Sequence, residues 1–277
     1  VNSTASSTST DAGPRLQLRR VGLLWRDDVE DFPVSELAAL FASQGIDAIR
    51  VQPADGDQGP LDLVVAMGGD GTVLRALDRF AGCPVLAINF GTVGFLTAGD
   101  RTDFERIVSL LVAGQYVVSE RLVLACRYPD GSLRAVNEVI VRTGNSLIYV
   151  DVSVDGAKIR TIRGDGVVVG TPTGSTGFLL STGAPIVMPG VRCMVLDGIN
   201  EYNFTSRAII LTPDSRICLH VSPLTRRAQV SLVADGRPVA SLDPGDDVFI
   251  EQAQESARLI YLEPHYFFHN LSSRLSW

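Results

Sequence analysis

From Leu61 to Met67 the chain reads as an apolar strand, and it runs straight into Gly68-Gly69-Asp70-Gly71-Thr72. A strand this apolar has to be covered on both faces, which is characteristic of a parallel sheet lying between helices. The glycines admit a tight turn and close backbone approach, and Val73–Phe80 beyond them has helical spacing. The flanking sequence repeats the alternation. Val21–Trp25 reads as a strand ended by Arg26 and Asp27, Val34–Gln44 as a helix stopped by Gly45, and Ala48–Val51 as a second strand. Val85–Asn89 is a further strand, and Asp103–Ala113 a helix with Phe104, Ile107, Val108 and Leu111 on one face. Strand alternating with helix over about a hundred residues predicts an α/β layer with a mainly parallel sheet.

The pattern changes near Gly114. From Tyr116 to about Gln252 the chain is a series of short β runs: Arg121–Tyr128, Asn137–Arg142, Tyr149–Val154, Gly166–Val169, Ala208–Leu211, Ile217–Val221, Gln229–Ala234 and Asp247–Glu251. Turn chemistry separates them, as in Pro129-Asp130-Gly131, Asp155-Gly156, Asp235-Gly236 and Pro244-Gly245. Such spacing predicts an all-β, sandwich-like second domain. The expected division is a disordered polar tail at 1–18, an α/β domain at 19–115 completed by an apolar, aromatic segment at 256–277, and a β-sandwich domain at 116–255.

Composition excludes several functions. Of 277 residues, 24 are Lys or Arg and 31 Asp or Glu, a net charge of −7. That balance speaks against nucleic acid as a partner, because phosphate backbones require surplus cations. Lys158 is the only lysine, so no phosphate-binding lysine of the GxxxxGK[ST] type exists. Cys83, Cys126, Cys193 and Cys218 form no CxxC pair, which fits free thiols in a reducing cytosol better than a zinc site. No run of eighteen apolar residues suggests a membrane span, and the N-terminal stretch does not read as a signal peptide.

Four stretches carry chemistry. In the 68–72 loop, free N–H groups and the start of a helix suit an anionic ligand. Asp70 stands where phosphates would collect, so it must hold a metal, accept a proton or orient a hydroxyl. An isolated loop of this kind could equally be a turn with Asp70 as a helix cap. Asn89-Phe90-Gly91-Thr92-Val93-Gly94-Phe95-Leu96 is a second glycine-rich loop after a strand, without the GxGxxG spacing. Asn137-Glu138 opens a later strand. Gly164-Asp165-Gly166 begins another, which delivers Thr171-Pro172-Thr173-Gly174-Ser175-Thr176-Gly177-Phe178 and then Ser181. Hydroxyls and N–H groups there suit ribose and phosphate oxygens, and Phe178 can stack on a ring. Ser175 makes a poor hydrolase nucleophile, since Thr173 occupies the place where GxSxG has glycine. His265 and His269 lack the Glu of HExxH, and Arg226-Arg227 reads as a solvated turn.

In this order the motifs resemble the NAD kinase family, with its GGDGT, NxGxxGFL, NE, DG, TPTGSTAY and SxGGP blocks. The matching residues are 68–72, 89–96, 137–138, 164–166, 171–178 and 181–189, and Arg274-Leu275-Ser276-Trp277 is similar to the family's ending. GGDGT alone is shared with lipid kinases of the diacylglycerol and sphingosine type. The resemblance implies a two-domain fold and transfer of the terminal phosphoryl group of ATP, or of polyphosphate, to the 2′-hydroxyl of the adenosine ribose of NAD, with Mg²⁺ accompanying the donor. It implies Asp70 as the proton acceptor, and Gly68, Gly69, Gly71 and Thr72 as the donor-phosphate loop. It implies NAD contacts from Gly71, Arg75, Phe95, Asn137, Glu138, Arg163, Asp165, Thr173, Thr176, Gly177, Phe178 and Ser181. Phe95 would wall the adenine and Asp165 would hold the nicotinamide side. A homodimer or homotetramer follows from the same resemblance, and the unpatterned cysteines point to the cytoplasm.

There are departures from the family pattern. Phe178 replaces Tyr, Gly177 replaces Ala, and Ala184 replaces the second Gly of GGP. Glu201-Tyr202 stand near a usual Pro-His pair, with Arg207-Ala208 after them, and Arg237 follows Asp235-Gly236 where Gln is common. They motivate one alternative, a non-catalytic NAD(P) sensor. A lipid kinase is the other, opposed by the 171–176 block.

Overall fold

The computed structural model describes residues 16–25, 34–52, 58–90, 94–100, 103–144, 146–203, 206–225 and 229–275. Most of the predicted tail, residues 91–93 of the second glycine loop, Arg226-Arg227 and Ser276-Trp277 lie outside them.

The first part of the chain contains β1 (Arg20–Leu24), α1 (Val34–Ser43), β2 (Asp47–Arg50), β3 (Leu63–Met67), α2 (Asp70–Arg79), β4 (Val85–Asn89), β5 (Gly99–Asp100), α3 (Phe104–Ala113) and β6 (Val117–Arg121). Then come β7 (Leu124–Tyr128), β8 (Gly131–Ala135), β9 (Glu138–Thr143), β10 (Ile148–Val154), β11 (Ala157–Gly164) and β12 (Gly166–Gly170). A 3₁₀ turn at Thr173–Thr176 leads into α4 (Phe178–Thr182). The remaining strands are β13 (Met194–Ile199), β14 (Ile209–Leu211), β15 (Ile217–Val221), β16 (Val230–Ala234), β17 (Arg237–Leu242), β18 (Asp247–Gln252) and β19 (Ala257–Tyr261), and α5 (Tyr266–Leu275) follows. Among the described residues, no helix is long and apolar enough to cross a membrane.

The first sheet has the order β2-β1-β3-β4-β19-β6, with β5 also on β4. Its strands from β2 to β4 are parallel. β3 and β4 are buried along their whole length, as a two-sided core requires. One layer packs α1 and α3 through Leu37, Phe41, Ile107 and Leu111, and the other packs α2 through Val73, Ala76 and Leu77. β19 runs parallel to β4 at Val85 and Leu86, while β5 takes the rest of that edge at Ile88 and Asn89.

The two other sheets are six-stranded and antiparallel, ordered β11-β10-β15-β18-β7-β8 and β14-β13-β12-β9-β16-β17. They enclose one shared core that includes Val139, Val150, Val167, Leu196, Leu219, Leu232 and Ile250, which makes this domain a β-sandwich. The α/β layer and the β-sandwich are as expected. The Arg121–Tyr128 run, however, is not one strand. β6 ends at Arg121 paired to β19 in the first sheet, and β7 begins at Leu124 in the second. Leu122 and Val123 carry the chain from one layer to the other, so a single apolar run serves two cores.

Candidate active site

α2 starts at Asp70, three residues earlier than its apolar spacing suggests. Gly69 is the N-cap, in extended conformation and without a side-chain cap bond. Asp70 is therefore not the cap that an isolated loop would suggest. Its carboxylate turns away from its own helix: Oδ2 accepts the Phe95 N–H at 3.0 Å and Oδ1 the Leu96 N–H at 3.1 Å. The second glycine loop thus holds the carboxylate of the first. Gly94 has no room for a side chain, since a Cβ there would lie 2.0 Å from Asp70 Oδ1. Gly68 sits at φ +152°, and a Cβ on it would meet the Thr72 hydroxyl at 2.7 Å. Thr72 is buried beneath that turn, while Gly69 and Gly71 are exposed. Arg75, one turn on, donates from Nε to the Gly71 carbonyl at 3.3 Å.

A second cluster forms in the sandwich domain. Glu138 is 4 % exposed, and its Oε2 accepts the Phe178 N–H at 3.4 Å. Burial, and then the neighbouring Asp235 carboxylate, push it up to about 7, with the Phe178 N–H pulling the other way. Gly174 packs on the Asn137 backbone, where a Cβ would come 2.1 Å from the Asn137 carbonyl oxygen. At Gly177 a Cβ would lie 3.0 Å from Glu138 Oε2 and 3.2 Å from Asn137 Nδ2. Glycine in place of the family's alanine leaves these two side chains close to the turn. Thr173 is buried, and Thr176 donates its hydroxyl to the Thr173 carbonyl. Ser175 is fully buried between the Pro172 carbonyl and the Val187 N–H, a structural role that leaves no nucleophile.

A third group lies around Asp165. Asn200 donates from Nδ2 to Asp165 Oδ2 at 2.7 Å. The exposed Arg163 guanidinium lies over the Tyr202 ring at 4.6 Å. Phe178 and Ser181 share a polar pocket of about 530 Å³ with Asp197, Asn200 and Glu201. The departure at Glu201 therefore lines the same pocket as two of the residues expected to bind NAD, whereas Tyr202 lies under Arg163. Arg237 behaves differently, because it pairs with Asp78 of α2 at 3.0 Å and so bridges the domains.

Two residues escaped the sequence reading. Asp235, at φ +46° in the tight β16–β17 turn, accepts N–H bonds from Val136 (2.9 Å), Asn137 (2.7 Å) and Glu138 (3.3 Å). It fixes the backbone that presents the Asn137-Glu138 pair, and burial raises its own pKa against those bonds. The sequence shows only its turn chemistry. Arg121 is 2 % exposed and makes no ion pair with a described carboxylate. Its guanidinium donates to Thr173 Oγ1 (3.2 Å), Tyr261 Oη (2.9 Å) and Tyr266 Oη (3.3 Å). It links the 171–178 turn to β19 and α5, and Asp70 lies within electrostatic reach of Tyr261. No motif marks it.

Taken together, the fold and site are those of a two-domain kinase, in which an α/β layer holds a glycine-loop carboxylate and a β-sandwich carries the Asn137-Glu138 pair. Residues 49–116 match the ATP-NAD kinase N-terminal domain family, and residues 136–262 the ATP-NAD kinase C-terminal domain family. The chain is 36 % identical to the NAD kinase of Symbiobacterium thermophilum over 227 residues, covering 79 % of this chain and 80 % of that one. It is 34 % identical to the NAD kinase of Thermomicrobium roseum over 222 residues, covering 78 % and 76 %. In fold it is similar to an NAD kinase from Archaeoglobus fulgidus in complex with ATP, with a TM-score of 0.76, 26 % identity and coverage of 93 % and 98 %. Yeast NADH kinase complexed with NADH has the same fold, with a TM-score of 0.83, 24 % identity and coverage of 94 % and 88 %. The chain belongs to the NAD kinase family, whose members phosphorylate NAD.

Proposed function

We propose that this enzyme transfers the terminal phosphoryl group of ATP to the 2′-hydroxyl of the adenosine ribose of NAD, with Asp70 as the base. The observation that carries this is the held carboxylate. A ribose hydroxyl is a weak nucleophile at neutral pH and needs an acceptor for its proton as it attacks. Phe95 and Leu96 orient both oxygens of Asp70 at the mouth of the glycine loop. In the step, the 2′-oxygen bonds to the γ-phosphorus, the bond from that phosphorus to the β–γ bridging oxygen breaks, ADP leaves, and Asp70 takes the proton. Exposed Gly69 and Gly71 at the start of α2 offer N–H groups and a positive helix end to the donor phosphates. Thr72, buried under Gly68, braces that turn. Mg²⁺ enters with the donor as its phosphate complex. Among the described residues no group of three or more His, Cys, Asp or Glu side chains gathers as a metal cage.

In the same proposal NAD lies along the sandwich face. Asn137 and Glu138 take ribose hydroxyls, Thr173, Thr176 and Gly177 line the site, Phe178 stacks on a ring, and Asp165 with Ser181 serves the nicotinamide end. Arg75, Gly71 and Phe95 contact the adenosine side, and Arg163 the outer rim. Polyphosphate is the alternative donor. The four free thiols suit a reducing cytoplasm, and we place the enzyme there as a homo-oligomer. The test is NADP formation from NAD and ATP–Mg²⁺ by the wild type and Asp70→Asn. A fall of at least a thousand-fold in the variant is expected, and equal turnover in both removes Asp70 from the role of base.

A further inference from the structure

We propose that Asn270 on α5 is a positioning residue for Asp70, acting through the loop that holds its carboxylate. The proposal rests on the reading of Asp70 as the base. The chain of contacts is short. Asp70 is held by the N–H groups of Phe95 and Leu96. The same loop turns its carbonyls the other way, and Asn270 Nδ2 donates to both the Phe95 and the Thr97 oxygen, each at 3.0 Å. One side-chain amide therefore spends both its hydrogens on two carbonyls that flank Leu96. The loop is also seated by the buried side chains of Leu96 and Thr97. Thr97 Oγ1 donates to the Gly94 carbonyl at 3.2 Å, and the Ala98 N–H bonds Ala87 of β4.

α5 is suited to carry such a residue. Tyr266, Asn270 and Arg274 are spaced four apart and share one face of the helix. Tyr266 anchors that face: its ring stacks on Tyr261, and its hydroxyl meets Ser119 at 2.8 Å and the buried Arg121 guanidinium. Leu271 is buried beside it. At the far end the Arg274 guanidinium lies 5.5 Å from the centre of the Phe95 ring. The helix is fixed to the sheet at one point and grips the Asp70-holding loop at the next turn. A carboxylate that must meet a ribose proton tolerates little displacement, since an error of about 1 Å costs around a hundred-fold in rate. The geometry of Asp70 therefore depends on an element some two hundred residues later in the chain.

The test compares Asn270→Ala, Asn270→Asp and Asp70→Asn in the full-length enzyme by NADP formation at saturating NAD and ATP–Mg²⁺, with thermal melts alongside. Asn270→Asp keeps the size of the side chain but turns an acceptor towards two carbonyl oxygens. The expected result is a kcat at least ten-fold down in Asn270→Ala and further down in Asn270→Asp. The KM for ATP stays within about two-fold of wild type and melting shifts by only a few degrees. Three results overturn the proposal. One is a kcat within two-fold of wild type in both Asn270 variants while Asp70→Asn is inactive. Another is an equal loss in both variants together with a large fall in melting temperature, which is the mark of packing alone. The third is full turnover by Asp70→Asn, which removes the base itself and is recognised without reference to Asn270.

Discussion

Burial and the adjacent Asp235 carboxylate lift Glu138 to about 7 from an ordinary 4.5, so the ligand-free fold favours its protonated form. The contribution to stability is fully present below pH 4.5 and is lost as pH rises through 7. The shift of about 7 − 4.5 = 2.5 corresponds to roughly 3 kcal/mol at the alkaline end. Glutamine at this position cannot ionise. Without NAD, Glu138→Gln is expected to melt higher than wild type at pH 8.5, with the gap closing towards pH 5. Parallel melting curves across that range would show that Glu138 does not carry the linkage. With ribose hydroxyls bonded to Glu138 as proposed above, added NAD is expected to narrow the gap at pH 8.5.

The β16–β17 hairpin shows where the sequence was legible and where it was not. Asp235-Gly236 is recognisable as a two-residue turn because both positions need positive φ, and Asp and Gly supply it at low cost. Asp155-Gly156 between β10 and β11 was readable in the same way. The second task of Asp235 depends on which strand the hairpin lies beside, and pairing between distant strands leaves no local trace. Asp235→Ala leaves three N–H groups without this acceptor, at about 1–3 kcal/mol for each one that stays buried. The expected outcome is a melting temperature at least 5 °C lower and a KM for NAD more than ten-fold higher. A variant with unchanged KM would separate this hairpin from the site. β3 and the glycine loop after it were legible for the converse reason, because a doubly covered strand and its turn are written in adjacent residues. Arg121, Asp235 and Asn270 each act on segments far away in sequence, and none stands inside the four stretches that carry chemistry.

At the scale of the whole molecule the two domains are not a simple succession. β6 and β19, which flank the sandwich in sequence, both lie in the first sheet. Arg237 reaches Asp78 across the junction, and Arg121 joins Thr173 to Tyr261 and Tyr266. Exposed pairs such as Arg237–Asp78 add little individually, about 0–1 kcal/mol, whereas the buried strand pairing is substantial. Calorimetry is therefore expected to give one unfolding transition. Two transitions separated by more than about 10 °C would show that the halves melt independently.

The place of β19 also governs how the chain is made. β4 leaves the ribosome early, yet the strand that covers half of its edge is made only after the entire sandwich. At roughly 5–20 residues per second, the nascent protein spends on the order of ten seconds or more with a bare parallel edge, the kind that recruits stray strands. α5 comes later still, and with it the brace on the Asp70 loop. If α5 steadies Asp70 as proposed, a chain not yet translated to α5 has its glycine loop and its Asn137-Glu138 pair but not the finished catalytic geometry. On that reading, translation must pass α5 before any NAD is phosphorylated.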